Sequence, residues 1–329
     1  MTRLADSFSG AQVLVTGGLG FIGSAITRRL ARVADVTVVD SLIPEYGGNQ
    51  ENIAPVRELV NVNISDVRDR HSLPSLVRDK DYIFNMAGQT SHVDSMTDPF
   101  TDLEINSRAQ LSILEAVRGH APKAKVVFAS TRQLYGRPDY LPVDELHPTK
   151  PVDVNGINKL AGEHFHLLYH QVYGIRTAVL RLTNTYGPGM RIVDARQTFV
   201  GIWIRSILQD CAFEVWGGAQ LRDFNYVEDV VDAFLMVAMA RKADGEIYNL
   251  GSREVVSLTQ LAELLTEIAP GCEYATKEFP DERKSIDIGD YYSDHDKIEN
   301  ELGWQPRTML RQGLASTLAY YRAHQLAYL

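Results

Sequence analysis

The first half of the chain alternates short, continuous apolar runs with longer stretches of mixed polarity. Val13–Val15, Val36–Val39, Tyr82–Asn85, Val126–Ala129 and Thr177–Arg181 lack the in-and-out alternation of a half-exposed sheet, so they predict strands covered on both faces. Between them, Ser24–Arg32, Pro99–Arg118 and Asn155–Tyr173 repeat apolar residues at helical spacing. Pro99 suits a first helical turn, where a missing N–H forfeits no bond. Strand and helix in alternation predict an α/β fold, a doubly wound parallel sheet with helices on both faces. Beyond Arg181 the pattern loosens into Tyr186-Gly187-Pro188-Gly189 and Trp216-Gly217-Gly218, with helices expected over Gln197–Leu208, Val227–Ala240 and Thr259–Ile268. The expected division is a core of residues 1–185 that also receives roughly 223–255, with a smaller α/β lobe from 186–222 and 256–329. Glu273–Ser293 reads as an ordered polar loop region.

Composition narrows the function classes. With 329 residues, 45% of them hydrophobic and 23% charged, the chain can bury a large core without staples. Its 33 basic and 42 acidic residues give a net charge of −9, which repels phosphate backbones and disfavours nucleic acid as a partner. Cys211 and Cys272 stand too far apart in sequence to suggest a disulfide framework or a thiolate metal site, which suits a reducing cytoplasm. The polar start Met1–Gly10 precedes an apolar run too short for a signal core, and Val230–Ala240 is far too short for a membrane span. A cytoplasmic protein without membrane attachment is the expectation.

The strongest local signal is Val13-Leu-Val-Thr-Gly17-Gly-Leu-Gly20-Phe-Ile-Gly23-Ser24, an apolar strand followed by glycines that open a helix. Glycines let backbone amides reach a pyrophosphate, and the helix dipole favours its charge. About twenty residues later Val38-Val39-Asp40 ends the next strand on a carboxylate, which can hold two ribose hydroxyls and repels a 2′-phosphate. NAD is therefore favoured over NADP.

In these motifs the chain resembles the extended short-chain dehydrogenase/reductase family, in particular its nucleotide-sugar epimerases and dehydratases. The resemblance runs over nearly the whole chain. Gly17-x-x-Gly20-x-x-Gly23, Asp66-Val67, Asn85-Met86-Ala87-Gly88-Gln89, Asn106, Ser130-Thr131-x-x-x-Tyr135-Gly136 and Lys159-x-x-x-Glu163 follow in the family's order. So do Leu180-Arg-Leu-Thr-Asn184-x-Tyr-Gly187-Pro188, Arg222-Asp223-Phe224-x-Tyr226-Val227 and Leu302-Gly303-Trp304. The resemblance implies that Gly17, Gly20, Phe21, Ile22, Asp40, Asp66, Val67, Met86, Ala87, Gly88, Asn106 and Lys159 bind the cofactor. It implies a homodimer through helices 99–118 and 155–173, with Tyr135 structural.

One departure cuts across the match. The family's catalytic signature is Tyr-x-x-x-Lys, and four residues before Lys159 stands Asn155; Gly156, Lys159 and Glu163 fit only this register. The family's phenol takes a proton from the sugar hydroxyl, whereas an amide has no proton to exchange near neutral pH. Three readings stay open: an active enzyme whose proton moves through Thr131, water or the substrate; a binding protein without turnover; or an engineered inactivation. Thr131 matches the residue that hydrogen-bonds the reacting hydroxyl, so Thr131, Asn155 and Lys159 form the expected catalytic set.

The following residues sort the chemistry. Dehydratases of the family carry Thr-Asp-Glu where this chain reads Thr131-Arg132-Gln133, so elimination of water is disfavoured, although Ser91-His92-Val93-Asp94 looks like a dehydratase segment. His92 is a second candidate proton carrier, with a structural role as its rival. The substrate expected is a nucleotide diphosphate sugar, with Arg222 and Arg283 on the diphosphate, Asn184 as amide donor and Trp216 beside the base; Arg191 and Arg196 could add to the clamp. His164, His166 and His170 lack a third ligand in phase, so no metal is expected. The leading function is an NAD-dependent epimerase acting at C4. Its rivals are a dehydratase or redox tailoring enzyme with atypical proton transfer, and a non-catalytic binding or regulatory protein.

Overall fold

A computed structural model of the chain describes residues 2–194, 196, 198–280 and 286–329. Its centre is a seven-stranded parallel sheet. The strands are β1 (Gln12–Thr16), β2 (Asp35–Asp40), β3 (Asn61–Ile64), β4 (Tyr82–Asn85), β5 (Lys125–Thr131), β6 (Arg176–Leu182) and, after three strands outside this sheet, β10 (Ile247–Asn249). The intervening strands β7 (Asn184–Tyr186), β8 (Phe213–Trp216) and β9 (Leu221–Tyr226) precede β10, and β11 (Val255–Ser257) and β12 (Tyr274–Lys277) follow it. Across the large sheet the order is β3-β2-β1-β4-β5-β6-β10, so the chain winds outward from β1 in one direction and then returns to wind in the other. That reversal between β1 and β4 opens a crevice at the carboxyl ends of the strands, where open α/β sheets bind ligands.

Both faces of the sheet are buried, which is why its strands read as unbroken apolar runs. Val13 and Val15 join one core together with Phe84, Val127, Phe234 and Trp304, while Leu14 between them joins the other with Ile83, Val126, Ile113 and Val117. The expected helices form with shifted ends. The first begins at Phe21 rather than Ser24 and runs to Leu30, and the third spans Val154–Tyr173. The stretch from Pro99 is interrupted: Pro99–Leu103 and Ala109–His120 are joined by a π turn over Glu104–Arg108, the kind of local widening that re-aims a side chain, here Asn106.

The second half departs further from the pattern. Gln197 lies outside the described residues, and its helix spans Phe199–Leu208. Val227–Met239 and Leu258–Ile268 are helical close to expectation. Within Glu273–Ser293 the loop reading needs correction, because β12 pairs in parallel with β8. Ala275, Thr276 and Lys277 are successively exposed there, so no apolar run marks the strand. A three-stranded sheet, β11-β9-β7, carries Arg222 and Asn184. Among the described residues no helix is long and apolar enough to cross a membrane.

Candidate functional site

One cavity of about 710 Å³ runs along the carboxyl ends of β1 to β6 and into the β8–β9 region. Gly17, Gly20, Phe21, Ile22, Asp40, Asp66 and Val67 line one end. Met86, Ala87, Gly88, Thr131, Asn155 and Lys159 line its middle, and Asn184, Trp216 and Arg222 its far side. Asn106 stands just behind the wall, and Arg283 lies outside the described residues.

The glycine turn is built for close approach. Gly17 has φ +64°, and a Cβ there would stand 2.9 Å from the Ala87 amide nitrogen; one on Gly23 would stand 2.2 Å from the Gly17 carbonyl oxygen. No side chain could occupy either place without moving backbone. The helix Phe21–Leu30 starts on Gly20 with no side-chain cap, which leaves its first amides open toward the cavity wall. Asp40, at the end of β2, accepts from the Leu19 amide at 3.0 Å and the Leu42 amide at 2.9 Å. Burial pushes its carboxyl above the usual range, against the pull of these amides. Asp66 is forked by Arg68, with Nη2 2.6 Å from Oδ2.

Lys159 is buried, with Nζ donating to the Ala129 carbonyl at 3.1 Å. Burial pulls it down to about 8, against the opposing influence of Asp102 and Glu163. A Cβ on Gly88 would meet Lys159 Nζ at 2.8 Å and Asn106 Oδ1 at 3.0 Å, so only glycine leaves this corner open. Asn106 Oδ1 is itself buried and without a protein partner, an acceptor left toward a ligand. One turn of helix separates Lys159 from Glu163, whose carboxylate is paired with buried Arg181 at 2.7 Å, and Arg181 in turn donates to the Tyr135 hydroxyl at 2.6 Å. Tyr135 is thereby a strut, not a reactive phenol; burial raises it to about 12.

Asn155 is 2% exposed, and its amide is committed to neighbours. Nδ2 donates to Gln89 O at 2.8 Å and to Asp102 Oδ2 at 2.9 Å. Asp102 is fully buried and takes two further amides, from Asn106 at 3.0 Å and Asn158 at 2.8 Å. Three carboxamides thus solvate one buried carboxylate, and Asn155 is one of them. Sequence reasoning missed Asp102 and the Gln89 carbonyl. The available signal was spacing, since Asp102 and Asn106 lie four apart on one helix and Asn155, Asn158 and Lys159 three to four apart on another.

On the far side, Arg132 Nη2 donates to Asn184 Oδ1 at 2.9 Å and the guanidinium lies 5.2 Å from the Tyr291 ring centroid. Asn184 Nδ2 donates to the Asp223 carbonyl at 2.9 Å. Arg222 is 7% exposed; burial, and then the nearby Arg132, bring it down to about 10. Gln133 Nε2 donates to Asp153 Oδ2 at 2.8 Å, so the two residues after Thr131 carry no carboxylate. Arg191 and Arg196 both bond Asp194, and Arg196 also bonds Asp94 at 2.8 Å. His166, one of the three histidines of the long helix, is stacked on Phe128 at 4.4 Å and donates from or accepts at Nδ1 with the Gly162 carbonyl at 2.7 Å; burial lowers it to about 4.

Residues 13–251 match the model of the NAD dependent epimerase/dehydratase family. The chain is 35% identical over 307 residues to a putative UDP-glucose 4-epimerase of Methanocaldococcus jannaschii, with 92% of this chain and 95% of that one covered. A UDP-glucose 4-epimerase of Thermotoga maritima, solved with UDP-glucose, superposes with a TM-score of 0.88 at 29% identity, covering 95% of this chain and 99% of that one. A dTDP-glucose 4,6-dehydratase of Streptomyces venezuelae, solved with NAD bound, superposes with a TM-score of 0.87 at 27% identity, covering 96% and 98%.

Proposed function

The chain belongs to the NAD-dependent epimerase/dehydratase family, and from that premise we propose that it is a nucleotide-sugar epimerase that inverts C4. An enzyme of this family uses NAD, and the residues here fit it: the glycine cradle excludes side chains, amides at the start of Phe21–Leu30 are uncapped, and Asn106 Oδ1 lacks a partner. Gly17, Gly20, Phe21 and Ile22 would hold the pyrophosphate. Asp40 would take the adenosine ribose, Asp66 and Val67 the adenine. Met86, Ala87, Gly88, Asn106 and Lys159 would hold the nicotinamide half. Bound NAD supplies a reversible acceptor for the electron pair of the sugar C–H bond.

The chain's own part is to bind and orient. Thr131 would hydrogen-bond the reacting hydroxyl, Arg222, Asn184 and Arg283 would hold the diphosphate, and Trp216 would lie beside the base. Residues 1–185 with 223–255 then serve the cofactor, and 186–222 with 256–329 the nucleotide sugar. A homodimer through helices 99–118 and 155–173 is part of the same reading. It is supported by Phe100, Ile157, Leu168 and Val172, all more than a third exposed on those helices.

The observation that carries epimerase over dehydratase is the pair after Thr131. Elimination needs carboxylates there to move protons, and Arg132 and Gln133 offer a guanidinium bound to Asn184 and an amide bound to Asp153. Purified protein incubated with UDP-, dTDP-, GDP-, CDP- and ADP-sugars, with products followed by NMR, should interconvert C4 epimers of at least one. Accumulation of a 4-keto-6-deoxy sugar would make it a dehydratase. Nucleotide-sugar binding without any conversion would make it a binding protein.

A further inference from the structure

Asn155 cannot carry the proton, and the wall of the same cavity carries an imidazole that can, His92, backed by the buried carboxylate of Asp153. The helix His92–Thr97 begins on Ser91, whose hydroxyl accepts from the Asp94 amide at 3.1 Å. Its Ser95 hydroxyl accepts from the Asn155 backbone amide at 3.2 Å, so this helix is seated on the first turn of Val154–Tyr173, at the place where the family's phenol begins. His92 therefore stands beside the vacated position, and its Nδ1 lies 3.0 Å from Asp153 Oδ2. The contact is close enough for an ion pair, though off the line of a straight N–H bond.

The two partners differ in exposure in the manner of a base and its orienting carboxylate. The Asp153 side chain is fully buried and that of His92 is 37% exposed on the cavity wall. Nδ1 is shielded and lies against Asp153, so Nε2 is the ring nitrogen left to serve a ligand in the cavity that His92 lines. Asp153 is fixed by the Gly156 amide at 2.7 Å and by Gln133 Nε2 at 2.8 Å, and the Gln133 amide donates to Thr131 Oγ1 at 3.2 Å. The imidazole, its carboxylate and the residue expected at the reacting hydroxyl are thus tied into one connected set.

We propose that His92, oriented by Asp153, takes and returns the proton of the sugar hydroxyl in place of the absent tyrosine. This rests on the nucleotide-sugar reading above. In the forward half-reaction the hydroxyl proton would pass to Nε2 of the neutral imidazole as the adjacent C–H bond gives up its electron pair, for which NAD, when bound, would be the acceptor. The resulting imidazolium keeps its Nδ1–H toward Asp153. When the C–H bond re-forms from the other face, Nε2 returns the proton to the carbonyl oxygen, so no proton is gained or lost over the cycle. Asp153 is a positioning residue. Burial works to raise its carboxyl, but His92 and the Gly156 amide hold it below the usual range, so it stays charged. Charged groups on the elements packed here include Asp94 on the same helix, Arg196 bonded to Asp94, Asp98 and buried Asp102 on the neighbouring helix, Lys159, whose ammonium is held on Ala129 O, and Glu163, which is paired with Arg181.

The test begins with the wild-type protein and the nucleotide sugar it converts. A wild type that converts none removes the nucleotide-sugar reading and this one with it, before any variant is made. With a substrate in hand, His92→Gln should lower kcat by about 10²–10⁴-fold while KM stays within threefold and NAD content is unchanged. The fall of kcat at low pH should vanish in the same variant, because that limb reports the neutral imidazole. Asp153→Asn, which leaves the imidazole in place without its orienting carboxylate, should lower kcat by less than His92→Gln does while KM stays within threefold. Added imidazole should restore part of the His92→Gly rate. A His92→Gln enzyme within threefold of wild-type kcat overturns the proposal. So does one that loses nucleotide-sugar binding in proportion to rate, which would mark His92 as a structural contact. An acidic limb that survives in His92→Gln but disappears in Lys159→Met would assign the proton to the lysine instead.

Discussion

Replacing Asn155 by aspartate isolates the claim that this side chain serves a buried carboxylate. The change is isosteric, so packing is preserved while the donor facing Asp102 Oδ2 at 2.9 Å and Gln89 O at 2.8 Å becomes an oxygen. Two carboxylates at that distance, at positions 2% and 0% exposed, cannot both ionise, and one must take a proton. Held protonated at pH 7 against an ordinary aspartate pKa of about 3.9, the group costs about 1.36 kcal/mol per pH unit, or about 4 kcal/mol. At pH 5 the same arithmetic leaves about 1.5 kcal/mol. The new carboxyl has a folded pKa raised above its unfolded value. The penalty is therefore small near pH 4 and grows as pH rises, until the folded pKa is reached. Urea unfolding of wild type and Asn155→Asp at pH 5, 6 and 7 measures the difference directly. A deficit below about 1 kcal/mol at pH 7, or one that does not change with pH, would show that the Asn155 amide does not face Asp102 and would falsify the account of why the tyrosine position is filled by an amide.

Three further outcomes follow from the site. Gly23→Ala places a Cβ 2.2 Å from the Gly17 carbonyl, which is backbone and cannot swing away; unfolding stability should fall by about 1–3 kcal/mol and co-purified NAD should drop sharply. Burial brings Lys159 to about 8 in the fold against an ordinary lysine value of 10.5, so the native state sheds that proton first and gains stability as pH rises through this interval. Lys159→Met should therefore gain on wild type at pH 7 and lose that advantage by pH 10.5, a swing of about 3 kcal/mol by denaturant titration. Lys125, also at about 8, remains in both proteins, so the difference isolates Lys159. Glu163→Gln leaves Arg181 as an uncompensated buried cation, and a loss of about 3–5 kcal/mol is expected in the same assay, with Tyr135 losing its fixed partner.

Legibility differed by region for physical reasons. The central strands were readable because burial on both faces forces apolar residues at successive positions, as at Val13, Leu14 and Val15. Strand β12 was not, because Ala275, Thr276 and Lys277 are exposed and carry no such demand. The glycine turn was readable because only glycine satisfies both the left-handed φ of Gly17 and the close approach at Gly23. The π turn at Glu104–Arg108 left no mark in the residue pattern, since it adds one residue to a turn without changing which face is apolar.

Local chemistry thus determined the α/β class, the NAD-type turn and the absence of tyrosine at position 155, each within a window of a few residues. What that absence means was decided only by tertiary structure. Gln89, Asp102, Asn106, Asn155 and Asn158 come from three separate elements, and they meet because the helices after β4 and β5 pack side by side. The same packing brings His92 to Asp153 across 61 residues of chain. Hydrogen bonds and ion pairs reach only a few ångströms, so partners that distant in sequence acquire each other through the fold, and no periodicity along the chain encodes the pairing.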